Sequence, residues 1–222
     1  MKQFHSSNLI VYFPEKESFI FKIFSQGYPL EVYRGMVGFL GGNLEHLDSS
    51  PRSTLEREIC REISSQQMED DNPKFWKRLG LEDVKKRPPI TNFASEEDLQ
   101  YIREAVLLQV KPFGDFAFSV PKIEGGTKGY SSFASVYISE PEIKVFDIMK
   151  YNLEMGKALT SEGSLELVSR KDIVSGRILG AHAVTPILEY FLNETIQNPY
   201  EAKAERIRRI PKDSYKGYNY SS

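Results

Sequence analysis

The feature that most constrains the fold is the stretch Gly35–Ser65, in which a glycine-punctuated apolar segment leads through a polar loop into a short helix. Because a helix advances by about 100° per residue, Glu58 and Glu62 project from nearly the same side. They lie along one edge of an apolar stripe made of Leu55, Ile59 and Ile63. Like charges at this spacing repel each other by roughly a few tenths of a kcal/mol. The pattern therefore calls for a compensating cation at the rim of a core-facing helix.

Two kinds of cation would meet this requirement. Arg57 and Arg61 flank Glu58 on the same helix, which is typical of a solvated helix stabilised by ion pairs between neighbouring turns. A bound divalent metal is the other alternative, since carboxylate oxygens are its usual protein ligands. The helix alone leaves both interpretations open.

The residues before the helix point to a family resemblance. Gly41-Gly42, Asp48 and the segment Arg57-Glu58-Ile59-Cys60-Arg61-Glu62 resemble the Nudix box, whose motif is G-x5-E-x7-R-E-U-x-E-E-x-G-U, with U a bulky aliphatic residue. Gly42 corresponds to the leading Gly, Arg57-Glu58-Ile59 to R-E-U, and Glu62 to the second Glu of the E-E pair.

The motif in this chain departs from the family pattern at three places. Asp48 stands where a Glu is usual, and eight residues instead of seven separate it from Arg57. Arg61 replaces the first Glu of the pair, and Ser65-Gln66 lies near the place of the closing Gly and aliphatic residue. A cation at position 61 repels a metal ion, and it can pair with Glu58 instead.

The resemblance implies an α/β fold, a Nudix-like α/β/α sandwich with a mixed β-sheet between helices. It also implies Mg²⁺ (or Mn²⁺) bound by Glu58, Glu62 and the carbonyl of Gly42, with Glu58 activating or positioning water. It further implies that Arg57, among the catalytic residues, braces the glutamates and that Asp48 acts from the outer shell of the metal site. Substrate contacts are implied for Gly41, Gly42 and Arg61.

Two functions follow from the resemblance and its departures. The first is a metal-dependent hydrolase that cleaves the diphosphate linkage of a nucleoside diphosphate derivative. The second is a catalytically impaired Nudix-like module that binds a nucleotide or RNA end or a protein partner, with Arg61 meeting phosphate in place of metal.

Hydrophobic alternation and capping signals predict the remaining elements. The predicted strands are the hairpin Asn8–Phe13 and Ser18–Phe24, a run at Met36–Leu40, the pair Phe113–Val120 and Tyr130–Ser139, and Ser164–Ser169, which is followed by a short acidic turn. The predicted helices begin near Ser50-Pro51 or Ser53, at Ser95 (ending near Leu107), at Phe146 (ending at Lys157) and at Thr185-Pro186.

The resemblance predicts one Nudix-like domain over residues 1–197. An insertion is predicted at about residues 65–94, with a short helix near Pro73–Lys86. Residues 198–222 form a basic, Tyr-containing tail, which is predicted to be mobile. Basic residues interleaved with aromatics also allow RNA contact through this tail. Homo-oligomerisation is compatible with the sequence.

Composition excludes several broad classes of function. A net charge of −2 gives no overall attraction to nucleic acid or to an anionic membrane. The single cysteine, Cys60, excludes an internal disulfide, and His5, His46 and His182 lack the spacing of a zinc site. No run reaches the length of a membrane span and no signal peptide begins the chain, so a cytoplasmic location is expected.

Overall fold

A computed structural model of the chain describes residues 4–24, 35–65, 92–120, 130–160, 164–180, 184–197 and 208–210. Its strands are β1 (Phe4–Phe13), β2 (Ser18–Ile23), β3 (Val37–Gly38), β4 (Leu40–Asn43), β5 (Lys111–Val120), β6 (Tyr130–Ser139), β7 (Ser164–Ser169) and β8 (Arg208–Ile210). Its α-helices are α1 (Pro51–Glu62), α2 (Glu96–Leu108), α3 (Ile143–Glu154), α4 (Arg170–Val174) and α5 (Val184–Leu192).

The strands of the described residues form one mixed sheet of eight strands, in the order β3-β2-β1-β6-β5-β8, with β4 also paired to β1 and β7 to β2. Strand β1 runs parallel to β6 and antiparallel to both β2 and β4. One edge of β1 therefore carries β4 beside its first half and β2 beside its second half, which brings the glycine segment of β4 next to the middle of the sheet.

Each face of the sheet carries its own apolar core, because successive side chains of a strand point to opposite faces. One core joins Ile10, Phe19 and Phe21 to residues of α4 and α5. The other joins Leu9, Val11 and Ile20 to the apolar stripes of α1, α2 and α3. The predicted α/β fold, with a mixed sheet between helices, is thereby confirmed.

Helix α1 begins where the sequence predicts. The Ser50 side chain accepts a hydrogen bond from the Ser53 amide at 3.1 Å, and the Ser53 hydroxyl in turn bonds the Ser50 amide at 3.0 Å. Pro51 occupies the first turn, where its missing N–H costs no helical hydrogen bond. This reciprocal capping fixes the direction in which α1 leaves the loop and crosses the sheet.

Three of the predicted elements need correction. The run predicted over Met36–Leu40 is two short strands, β3 and β4, and β4 continues through the glycine pair to Asn43. The acidic turn predicted after Ser169 is the short helix α4, because the Ser169 hydroxyl caps it by accepting from the Asp172 amide at 3.1 Å. Helix α3 begins at Ile143 rather than at Phe146, since Pro141 ends the preceding extended segment and Glu142 takes the N-cap position. Other elements match more closely: the hairpin of β1 and β2, the pair of β5 and β6, and β7.

Several predictions concern residues outside the described ones. The helix near Pro73–Lys86 and nearly all of the insertion at 65–94 fall in this category, as does most of the tail 198–222. Within the tail, Arg208–Ile210 pairs antiparallel with β5, so for these three residues the structure has an edge strand; mobility of the rest stays a prediction. No helix in the described parts of the chain is long and apolar enough to cross a membrane.

Candidate functional site

The glycine segment of β4 and the carboxylate face of α1 meet in close contact. A Cβ atom on Gly42 would lie 2.6 Å from Cδ of Glu58, so glycine at this position leaves the room that the carboxylate occupies. Gly41 has a φ of +127°, and its backbone N–H donates to Oε2 of Glu62 at 2.8 Å. Both glycines therefore serve the two glutamates directly, by space at Gly42 and by a hydrogen bond at Gly41.

The two glutamates lie inside the protein and not at the rim that the helix pattern suggested. The residues Glu58 and Glu62 are 2% and 0% exposed. Burial of a carboxylate is costly unless positive charge and hydrogen bonds accompany it. The two groups are buried because cations accompany both of them: Lys22 from the sheet at Glu62, and two arginines of the same helix at Glu58.

Glu62 is neutralised by a residue from the sheet. The ammonium group of Lys22, on β2, contacts Oε1 of Glu62, while the Gly41 N–H occupies Oε2. The Lys22 side chain is 17% exposed and the Glu62 side chain is fully buried. Each oxygen of Glu62 thus faces a donor that is anchored in a strand.

Glu58 is neutralised by two arginines of its own helix. Nη1 of Arg57 donates to Oε1 of Glu58 at 2.7 Å. Nη2 of Arg61 lies 2.7 Å from Oε2 of Glu58, in an ion pair that lacks the alignment of a hydrogen bond. The ion-paired helix that the sequence left open as an alternative therefore exists, but its carboxylates are buried instead of solvated.

Arg57 ties the helix to the loop that precedes it. Its guanidinium donates to both oxygens of Asp48, at 3.0 and 2.9 Å, and to the carbonyl of Asn43 at 3.1 Å. It also lies 3.2 Å from a carboxylate oxygen of Glu45. A side chain whose donors are distributed in this way braces the glutamate and the loop.

The electrostatic surroundings shift three pKa values in the cluster. Burial raises the pKa of Glu58 and outweighs the opposing effect of Arg61 and Arg57. For Asp48, burial acts to raise the pKa, but hydrogen bonds from Arg57, the Glu45 amide and Thr54 together lower it. The hydrogen bond to Asp48 raises the pKa of Arg57, which therefore stays charged throughout.

Glu58→Gln is expected to flatten the pH dependence of stability. Because the pKa of Glu58 lies above its ordinary value of 4.5 in the folded state, the folded protein binds this proton more tightly than the unfolded chain. The free energy of unfolding therefore falls as the pH rises from about 4.5 through the raised pKa, and glutamine removes that fall. Urea unfolding at a series of pH values measures the slope.

Glu56→Gln is the control for this experiment. It removes a carboxylate that is 50% exposed on the same helix, and so it reports the effect of net charge alone. Equal flattening in both variants would contradict the assignment of the slope to Glu58.

The predicted metal ligands do not fit a divalent ion as they are arranged. All four carboxylate oxygens of Glu58 and Glu62 face a cation or a backbone N–H, whereas Mg²⁺ requires oxygens that turn toward it. Among the described residues, no group of three or more His, Cys, Asp or Glu side chains is arranged to hold a metal. An ion would have to displace Lys22 or Arg61 to reach these oxygens.

The structure brings together most of the residues that the sequence singled out. Those that meet around the two buried carboxylates are Gly41, Gly42, Asp48, Arg57, Glu58, Arg61 and Glu62. The sequence reasoning missed Lys22. Its signal was a single lysine inside the apolar run SFIFKIF, since a charge within a strand buried on both faces needs a partner.

Comparison with known proteins finds solved structures of low similarity, among them the following two. The crystal structure of the mutator MutT protein from Bacillus halodurans is 14% identical, with a TM-score of 0.44, over 93% of this chain and 97% of that chain. The solution structure of the E. coli ORF135 protein is 14% identical, with a TM-score of 0.41, over 87% of this chain and 91% of that chain. No protein-family model and no curated protein matches. At these values the two similarities carry no argument about function.

Proposed function

We propose that the chain is a Nudix-like module that binds a nucleoside diphosphate derivative at its carboxylate helix without hydrolysing it through a metal. The observation that carries the proposal is the pairing of Glu58 and Glu62 with Lys22, Arg57 and Arg61. In a metal-dependent hydrolase those oxygens hold the ion, and the ion neutralises the diphosphate. In this chain side-chain cations pair with those oxygens instead.

Arg61 is the residue that we expect to meet phosphate. Its side chain is 29% exposed although it pairs with Glu58. A guanidinium carries five N–H donors in a planar fork that matches the oxygens of a phosphate group. The guanidinium of Arg57 donates hydrogen bonds to Asp48, Glu58 and Asn43. Arg57 therefore positions the Glu58 carboxylate.

Thermal melting in EDTA with ADP, dinucleoside polyphosphates and short 5′-phosphorylated RNAs tests the proposal. A nucleotide at about 100 times its Kd should raise the Tm by roughly 5–10 °C. Arg61→Gln should weaken binding by about tenfold, because it removes a charge-assisted hydrogen bond.

Arg177→Gln is the matched control, because Arg177 is 76% exposed and pairs with Asp172 in another part of the fold. This variant should bind as the wild type does. If no nucleotide or RNA shifts the Tm, or if Arg61→Gln binds unchanged, the proposal fails.

The metal-dependent hydrolase is the second candidate. It is favoured by the contact between Gly42 and the Glu58 carboxylate, which keeps the glycine segment of β4 and the carboxylate helix together. Product formed with Mg²⁺ or Mn²⁺ from a broad panel of nucleoside diphosphate derivatives, above the level of a Glu58→Gln control, would replace the binding proposal with this one.

Arg61→Glu restores the carboxylate that the family motif has at this position. A gain of metal-dependent turnover in this variant would mean that the chain keeps the rest of the hydrolytic machinery. RNA contact through the basic tail, homo-oligomerisation and a cytoplasmic location remain predictions.

A further inference from the structure

We infer that the ammonium group of Lys22 takes the place of a divalent cation at Glu62, and that Lys22 together with Arg61 makes the carboxylate pair electrically complete without metal. The inference rests on the metal-independent part of the proposed function and specifies how that independence arises. It does not depend on nucleotide binding.

The sheet fixes the position of Lys22. On one side of β2, Lys22 pairs with Gly38 of β3, and on the other side with Leu165 of β7. Alternation along the strand puts Lys22 on the same face as Ile20, which packs in the core shared with α1. Lys22 therefore lies in a strand that is paired on both sides, and its side chain extends from the sheet to Glu62 of α1. The position of its charge is fixed by the sheet and not by a flexible loop.

The three buried carboxylates of the cluster are balanced by its three cations without an added ion, whereas Glu45, which also lies near Arg57, is 42% exposed to solvent. Arg57 and Asp48 form a two-point pair, which leaves two carboxylates, Glu58 and Glu62, opposite two cations, Lys22 and Arg61. One divalent ion carries the same formal charge as these two cations together. Removing the charges of Lys22 and Arg61 would therefore leave two uncompensated negative charges, which a single divalent ion can neutralise.

The geometry also assigns the two cations to separate carboxylates. Lys22 contacts Glu62, and Arg61 contacts Glu58. Both carboxylates are almost completely buried. The loss of either cation therefore leaves a negative charge without compensation in the poorly solvated interior. A cation from solution is then the least costly replacement, provided that its size allows it to bind carboxylate oxygens at the same place.

The test uses the full chain and Mn²⁺ as the only probe. The double variant Lys22→Met/Arg61→Met keeps an unbranched, flexible side chain at both positions while it removes both charges. In EDTA its Tm should lie well below that of the wild type, and saturating Mn²⁺ should raise it by about 5–10 °C. Electron paramagnetic resonance should show about one bound Mn²⁺ in the double variant and none in the wild type.

A matched control removes two exposed cations from other surfaces. Lys150→Met/Arg177→Met changes the net charge equally, because Lys150 and Arg177 are 58% and 76% exposed. Mn²⁺ should leave its Tm unchanged. A saturable Mn²⁺ response of the same size in the wild type or in this control would overturn the inference, as would the absence of any response in Lys22→Met/Arg61→Met.

A second pair of variants keeps the inference testable if the double variant does not fold. Lys22→Met should lower the Tm markedly, and Lys22→Met/Glu62→Gln should recover most of the loss, because it removes the carboxylate that was left without its cation. No recovery would mean that Lys22 acts through packing alone and would refute the counter-ion role. The Tm of the wild-type protein with nucleotides in EDTA is a separate measurement. The proposed function can therefore fail while this inference stands.

Discussion

Gly41→Ala will lower the free energy of unfolding by about 3 kcal/mol or more. The backbone at Gly41 has a φ of +127°, and a Cβ atom would lie 2.0 Å from the carbonyl oxygen of Ser7 and 3.0 Å from Cα of Asn8. These are backbone atoms of β1, which the sheet holds in register with β4, so they cannot move aside without breaking strand pairing. Urea unfolding followed by circular dichroism measures the loss.

Gly156→Ala gives the cost of a left-handed backbone where a Cβ atom causes no steric clash. Gly156 also has a positive φ, +66°, but a Cβ atom there would meet no atom within 4 Å. We expect this variant to lose only about 1 kcal/mol. Equal losses in the two variants would contradict the view that close packing of β4 on β1 sets the requirement at Gly41.

Arg57→Met is the substitution with the second-largest expected effect, a loss of roughly 2–3 kcal/mol at neutral pH. The figure is at the lower end for a buried ion pair because the Arg57 side chain is 31% exposed. Its removal leaves the carboxylates of Asp48 and Glu58, which are 5% and 3% exposed as side chains, with one cation fewer. Urea unfolding at pH 7 gives the difference.

The pH dependence of the same variant checks the mechanism. Because the hydrogen bonds from Arg57 contribute to lowering the pKa of Asp48, ionised Asp48 stabilises the fold fully above its ordinary value of 3.8, and this contribution is lost as the pH falls through the lowered pKa. The gap between the wild type and Arg57→Met should therefore narrow below about pH 3.8.

Lys150→Met is the control for the loss of an exposed ion pair. Its partner Glu154 lies 3.7 Å away, and the two side chains are 58% and 64% exposed. This variant should change stability by less than about 0.5 kcal/mol. A loss as large as that of Arg57→Met would show that net charge, not the braced cluster, controls stability.

The sequence was most informative where the cause of an element is local. Ser50 and Pro51 mark the start of α1 through capping chemistry that depends on adjacent residues. The β-branched and aromatic runs around Pro14 predict the hairpin of β1 and β2 in the same way, because its turn is short. Within the site, the spacing of Glu58 and Glu62 on one helix was sufficient to select both carboxylates as central.

The sequence was least informative where two distant segments meet. Lys22 and Glu62 are 40 residues apart, and no local pattern states which cation will reach which carboxylate. The φ of Gly41 is likewise a consequence of the distance between β4 and β1, and the antiparallel pairing of Arg208–Ile210 with β5 depends on an available sheet edge. Such relationships are set by sheet register and helix placement, which arise only when the whole chain packs.

The sequence by itself therefore determined the hairpin of β1 and β2, the start of α1 and the two carboxylates on one side of that helix, since each follows from propensity, periodicity and capping over a few residues. Only the tertiary structure decided that both carboxylates are buried and that Lys22, Arg57 and Arg61 neutralise them. The physical reason is that the charge state of a buried group depends on the groups that surround it in three dimensions. That arrangement turns a motif typical of metal binding into a cluster with its own cations.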